Sequence, residues 1–306
     1  MKLPDEDKAL PDIANEFAPQ LKAGNELFEY LQKIATEAKP KAGQRQVMCL
    51  SSVLTRLLRL HYAAVKLSST GIASEAKLQV RAMFEMVVNL YALEQSGDAE
   101  EYSRKWIAWD LHNYMKQIEV ELRAHPENAS LFDEHKRLAD SVKKDLGDEA
   151  RIAAQARWPT DAARVEEHVA GKWREFLKHG PSMVDLKSLA TAVDTKSGGK
   201  TNMVAIYERV YPNASGVMHG SDLSSMLEPS SASKIVLKLA PTRDSIETVL
   251  VTSTILLQMG ALVICRLLGI APPEMLAETN AIVNQAVAHL KIAAAPAAKP
   301  EVAPGL

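Results

Sequence analysis

The sequence predicts an all-α protein: a bundle of about nine to eleven helices with at most one short strand. Three observations predict it. Apolar residues recur every three or four positions through most of the chain, and the stretches so patterned are long enough for several helical turns. Short Gly-, Pro- and Ser-containing breaks separate them. Only 234–239, KIVLKL, reads as a strand or an extended connector. With 306 residues and 47% hydrophobic content the chain can bury a sizeable core, and a net charge of -2 excludes a global basic excess of the nucleic-acid-binding kind. The expected organisation is a helical extension at 1–43, a bundle at 44–292 and an Ala/Pro-rich tail at 293–306 of disordered composition.

The first patterned stretch, 11–38, carries Ile13, Phe17, Leu27, Leu31 and Ile34 and ends at Pro40, which leaves room for one or two helices. Residues 44–67 set Leu50, Val53, Leu54, Leu57 and Leu58 against a face with Arg45, Arg56, Arg59 and Lys66. A break at 68–71 returns the chain into 74–95, so these two helices should form an antiparallel hairpin. The second of them holds Arg81, Glu85 and Asn89 at i, i+4 and i+8, one narrow stripe. Val80, Met83, Phe84, Met86, Val87, Val88, Leu90 and Tyr91 leave it no face made for water, and the expectation is a buried helix. An Arg and a Glu carried inside must then be paired and hydrogen-bonded.

Gly97 stops that helix, and Asp98 with Glu101 caps a further one that runs to about His125 with Trp106, Trp109 and Tyr114 as bulk. The alternating charges of 127–157 read as solvated helices laced with i, i+4 ion pairs. Trp158-Pro159 is a break, Thr160 is the expected cap of the next helix, and Gly180-Pro181 ends it. A short helix at 182–193 and a loop at 195–200 follow. Residues 202–225 place Tyr207, Tyr211, Ser215 and His219 four apart, although Pro212 predicts a kink or break there with Asn213 near a new N-cap. Residues 228–233 read as loop. The uncharged run 249–265 is read as a buried core helix rather than a membrane span, because it holds Thr252, Ser253, Thr254 and Gln258 and lacks an aromatic belt. Asp244 and Glu247 should cap it and Gly269 close it, and Pro272-Pro273 launch a last helix to about residue 291.

Several chemistries are excluded by spacing. Cys49 and Cys265 sit in apolar runs and read as buried thiols of a reducing, cytoplasmic compartment. None of the 8 histidines lies in an HExxH or ExxH helical pair, Glu166, Glu167 and His168 read as a solvated face, and neither metal nor cofactor is expected. TKSGGK lacks the phosphate-loop spacing, and Ser215 with His219 and Asp222 lacks the GxSxG turn of a hydrolase. Arg and His can, however, cleave RNA without a metal by positioning the phosphate and moving protons at the ribose hydroxyl.

Arg56 with His61 and Arg174 with His179 have the Arg-to-His spacing of the HEPN superfamily of helical ribonucleases, which they resemble in that respect. Leu57 and Glu175 stand where active members carry Asn, Asp or His after the Arg. Over roughly 44–222, two blocks resemble the signature of an uncharacterised bacterial all-helical family: Leu67, Gly71, Arg81 and Glu85, then Tyr211, Ser215 and His219. That resemblance implies a cytoplasmic helical bundle, distantly HEPN-like, of a kind suspected in defence or toxin-type systems, and brings no established substrate.

Two function classes stay open. One is a helical binding or regulatory module whose polar cluster is structural and whose partner is a protein, RNA or its own copy. The other is a metal-independent ribonuclease or phosphodiesterase with His219, Arg81 and Glu85 as catalytic residues. Tyr207, Tyr211, Ser215 and Asn89 are the expected binding residues in either case, and the Arg81 stripe is expected to meet His219. No membrane insertion is expected, and the long apolar helix near the C-terminus favours a homo-oligomer.

Overall fold

The computed structural model describes residues 6–218, 227–231, 234–237, 243 and 245–288. Among these the protein is an all-α bundle of twelve α-helices. The helices are α1 (Glu6–Glu16), α2 (Ala18–Glu37), α3 (Gln44–Ser69), α4 (Ala73–Glu94), α5 (Ala99–Gln117) and α6 (Glu119–Ala124). They continue as α7 (Asp133–Arg157), α8 (Ala162–His179), α9 (Leu186–Lys196), α10 (Met203–Met218), α11 (Ile246–Leu268) and α12 (Met275–Ala288). Short 3-10 turns at Pro126–Phe132 and Gly180–Ser182 link α6 to α7 and follow α8. The KIVLKL segment contributes β2 (Lys234–Leu237), which pairs antiparallel with β1 (Leu227–Ser231), so the stretch read as loop supplies a second strand to a small hairpin. The expected tail at 293–306 lies outside the described residues.

The bundle is built round α11. Val249, Leu250, Leu256, Leu257, Val263 and Ile264 are all buried, because α3 and α4 cover one side of it and α2 and α12 the other. It is long and apolar enough to cross a membrane, yet 72% of its most apolar stretch is buried inside the bundle, so its hydrophobicity is accounted for as core. Gly260 makes that packing close: a Cβ there would stand 2.6 Å from a Leu57 methyl on α3 and 3.3 Å from Val87 on α4. A second, smaller core of Ala108, Val142, Leu146 and Phe176 joins α5 to the α7/α8 hairpin. It is flanked by Arg104, which is clamped by Glu101 at 2.7 Å and by Asp145 at 2.8 Å.

Several local expectations are corrected. Asp161, not Thr160, caps α8, its carboxylate accepting from the Arg164 N–H at 3.1 Å. Ser245, in the left-handed region, begins α11 with no side-chain cap, and Asp244 is outside the described residues. The larger correction is α10, which runs unbroken through Pro212. A proline inside a helix forfeits one backbone hydrogen bond to the residue four before it. That residue is Glu208, and both Glu208 and Pro212 are exposed, so water can satisfy the freed carbonyl. Asp194 of α9 also pins the start of α10 by accepting from the N–H groups of Met203 at 2.7 Å and Val204 at 2.9 Å. Burial works to raise the Asp194 pKa, but these bonds and the Thr201 hydroxyl hold it below the ordinary value.

Candidate functional site

The Arg81 stripe lies at the margin of the core, not inside it. Arg81 retains 15% side-chain exposure and Glu85 43%, because α3, α10 and α11 cover α4 on its other sides and leave this edge open. The i, i+4 spacing still brings the two together, Arg81 Nε donating to Glu85 Oε1 at 3.0 Å. Arg81 Nη2 donates to the Tyr211 hydroxyl at 2.6 Å, and the guanidinium carbon lies 4.0 Å from the centre of the Tyr211 ring. Burial raises the Tyr211 pKa, Arg81 opposes that, and Glu85 and Tyr207 add to it. The phenol therefore stays protonated and able to bond Glu85's partner without carrying charge. Because α10 is continuous, Tyr207 stacks on Tyr211 with ring centres 4.9 Å apart and planes at 17°. Asn89 donates to the Glu85 carbonyl at 2.9 Å and accepts from the Tyr102 hydroxyl at 3.2 Å, which ties the stripe to α5. The Ser215 side chain and His219 lie outside the described residues.

Glu85 and Asn89 also form part of the wall of a cleft of about 920 Å³ between α3, α4 and α5, closed at one end by His179, Gly180 and Pro181. Its floor includes Cys49, Val53 and Trp106, and its sides include Met48, Met86, Trp109 and Tyr114. Arg56, Asp110 and Lys116 supply charge. The volume falls within the range of small-molecule sites, as does the mixture of apolar walls with a few convergent polar groups. Cys49 takes no part as a nucleophile, since burial pushes its thiol up to about 12 and leaves it protonated.

Neither Arg/His pair holds together as a pair. Five residues place two side chains about 140° apart round a helix. Arg56 accordingly reaches the cleft, while His61 is only 1% exposed and lies on the other side of α3, Nε2 facing the Gly24 carbonyl at 3.0 Å. Burial drives the His61 pKa down to about 4 against the pull of the Gly24 and Ser253 backbone groups. His179 meets Glu175 at 3.4 Å and lines the cleft, whereas Arg174 lines a separate groove along α8. Arg56 and His179, members of different pairs, thus share one cleft. The sequence flagged Trp106, Trp109 and Tyr114 only as bulk and passed over Asp110 and Lys116. The recurrence of 106, 109/110, 113 and 117 on one face of α5 was the available signal. No group of three or more His, Cys, Asp or Glu residues placed to hold a metal occurs among the described residues.

A family model matches residues 47–233, more than half of the chain. The chain belongs to DUF5677, a family of unknown function. The DUF5677 region begins within α3 and ends inside the β1/β2 hairpin, so it contains the whole Arg81 cluster and every residue of the cleft, while α11 and α12 lie beyond it. No curated protein and no solved structure matches.

Proposed function

We propose that this DUF5677 chain is a helical binding and regulatory module, whose ligand occupies the α3/α4/α5 cleft and whose Arg81 cluster passes occupancy on to α10. The observation that carries the reading is Glu85. Glu85 lines the cleft, and its carboxylate is held by the same Arg81 that grips Tyr211 of α10. A ligand that displaces or bonds Glu85 changes what Arg81 offers Tyr211, a differential interaction of the kind needed to bias a conformational equilibrium. The reading includes a cytoplasmic setting, which the buried free thiols Cys49 and Cys265 support. A second copy of the chain is the proposed macromolecular partner. Concentration-dependent sedimentation tests that part, and a constant monomer mass rules it out.

The cleft is tested with indole, a small neutral aromatic. Saturation-transfer NMR on the wild-type chain should show saturable indole binding, and Ala82→Trp, which fills the cleft from α4, should abolish it with the helical circular dichroism retained. Indole that fails to bind, or that binds the filled variant equally well, overturns the reading. Cleavage of RNA by purified protein in EDTA, lost on His219→Ala with the fold intact, would replace a binding module by a metal-independent ribonuclease or phosphodiesterase of the HEPN-like kind.

A further inference from the structure

We infer that the cleft selects a small aromatic molecule bearing an oxyanion, its ring against Trp109 and Tyr114 and its carboxylate or phosphate against Arg56. The inference rests on the reading of the cleft as a ligand site and names the class of ligand.

The ring surface is prepared in advance. Trp109 Nε1 donates to the Leu177 carbonyl at 3.2 Å, and Gly180, at φ +77, brings its backbone so close that a Cβ would lie 3.4 Å from the indole. A ring fixed in this way loses little freedom on stacking. Tyr114, tilted against Phe132 with ring centres 6.2 Å apart, is 46% exposed and so leaves ring area that a flat ligand can bury.

The anion preference comes from Arg56. Arg81, Arg104, Arg151 and Arg266 are each engaged by a carboxylate at 2.7–3.0 Å. Arg56 makes no ion pair among the described residues, and neither does Lys116, although both line the cleft. An unengaged guanidinium presents a planar fork that fits a carboxylate or phosphate with two parallel bonds. The Gln46 N–H bonded to Glu100 at 3.0 Å, with Cys49 beside Ser103, sets α3 and α5 side by side and parallel, so Arg56 comes level with Asp110. Of the two acids on the wall, Glu85 is already neutralised by Arg81. The Glu85 side chain is still 43% exposed and Asp110 makes no ion pair among the described residues, so both can accept from a ring N–H or hydroxyl, which favours a ligand with a donor on its ring over a plain anion.

Calorimetric titration of the full-length chain compares indole with indole-3-acetate, adenosine with adenosine 5′-monophosphate, and sodium acetate alone. The expected result is that the oxyanion tightens binding about tenfold in at least one pair, as a charge-assisted hydrogen bond does, with acetate alone too weak to detect. The pair that responds identifies the oxyanion. Arg56→Gln should remove the gain and leave indole unaffected, and Arg56→Lys should restore only part of it; both substitutions are on an exposed face and thermal melts confirm the fold. An oxyanion that gives no gain in either pair overturns the inference while indole binding upholds the ligand site. A gain that survives Arg56→Gln, or acetate binding as tightly as indole-3-acetate, also overturns it. Absence of binding by every probe, indole included, removes the ligand site and the inference together.

Discussion

Replacing Arg81 with alanine strands Glu85 and Tyr211 together, since both bond the one guanidinium. The expected loss is about 2 kcal/mol in urea denaturation, the range for a partly buried charge-assisted bond. Tyr211→Phe keeps the ring under the guanidinium and loses only the hydroxyl, for about 1 kcal/mol. In the double variant the two losses should fall short of their sum by about 1 kcal/mol, and strict additivity would mean that the contact does not exist in solution. His61 makes a prediction of opposite character. Its folded pKa of about 4 lies below the ordinary value near 6.5, so the unfolded chain takes up the proton first. Its contribution is therefore fully present above about pH 6.5 and is lost as the pH falls toward 4, roughly 3 kcal/mol in all. His61→Gln should flatten that part of the pH profile; an unchanged slope would assign the dependence to other groups. The Arg81–Glu85 contact was legible from its spacing, because i, i+4 on one helix is local geometry. The location of His61 was not, since a cheap Arg-to-His spacing says nothing about which side of a helix faces the core.

At the scale of elements, α11 shows what periodicity reveals and what it hides. Its apolar run and its Gly269 end, at φ +65, could be read directly, and so could the α3/α4 hairpin. The approach of three helices at Gly260 could not, because a glycine inside a helix carries no mark of the methyl groups opposite it. Gly260→Ala should destabilise the protein in spite of the better helix propensity of alanine. The overpacking cost against Leu57 is about 1–3 kcal/mol and the propensity gain about 1. A raised melting temperature in that variant would mean the helices are further apart than described. The continuity of α10 through Pro212 was missed for a related reason. Local rules charge proline with breaking a helix, whereas the stacked Tyr207 and Tyr211, the Arg81 bond and the Asp194 cap hold this one from its first turn up to the residue before the proline.

For the whole molecule, the all-α class and the order of its longer helices could be read from pattern because each helix declares its own apolar face. The cleft could not be. It is assembled from α3, α4, α5 and the turn after α8, whose contributing residues, Met48 to Pro181, are separated by up to 133 positions and meet only through packing against α11 and the smaller α5/α7/α8 core. One acid, Glu85, both lines that cleft and pairs with the Arg81 that bonds Tyr211 of α10, and the proposed coupling rests on it. Amide hydrogen exchange of α10, with and without indole at ten times its measured dissociation constant, tests this most directly. Occupancy should slow exchange over Val204 to Tyr211 more than over α7, and Tyr211→Phe, measured at ten times its own constant, should lose the difference. Exchange in α10 that ignores an occupied cleft, or that responds equally in the Tyr211→Phe variant, would contradict the coupling.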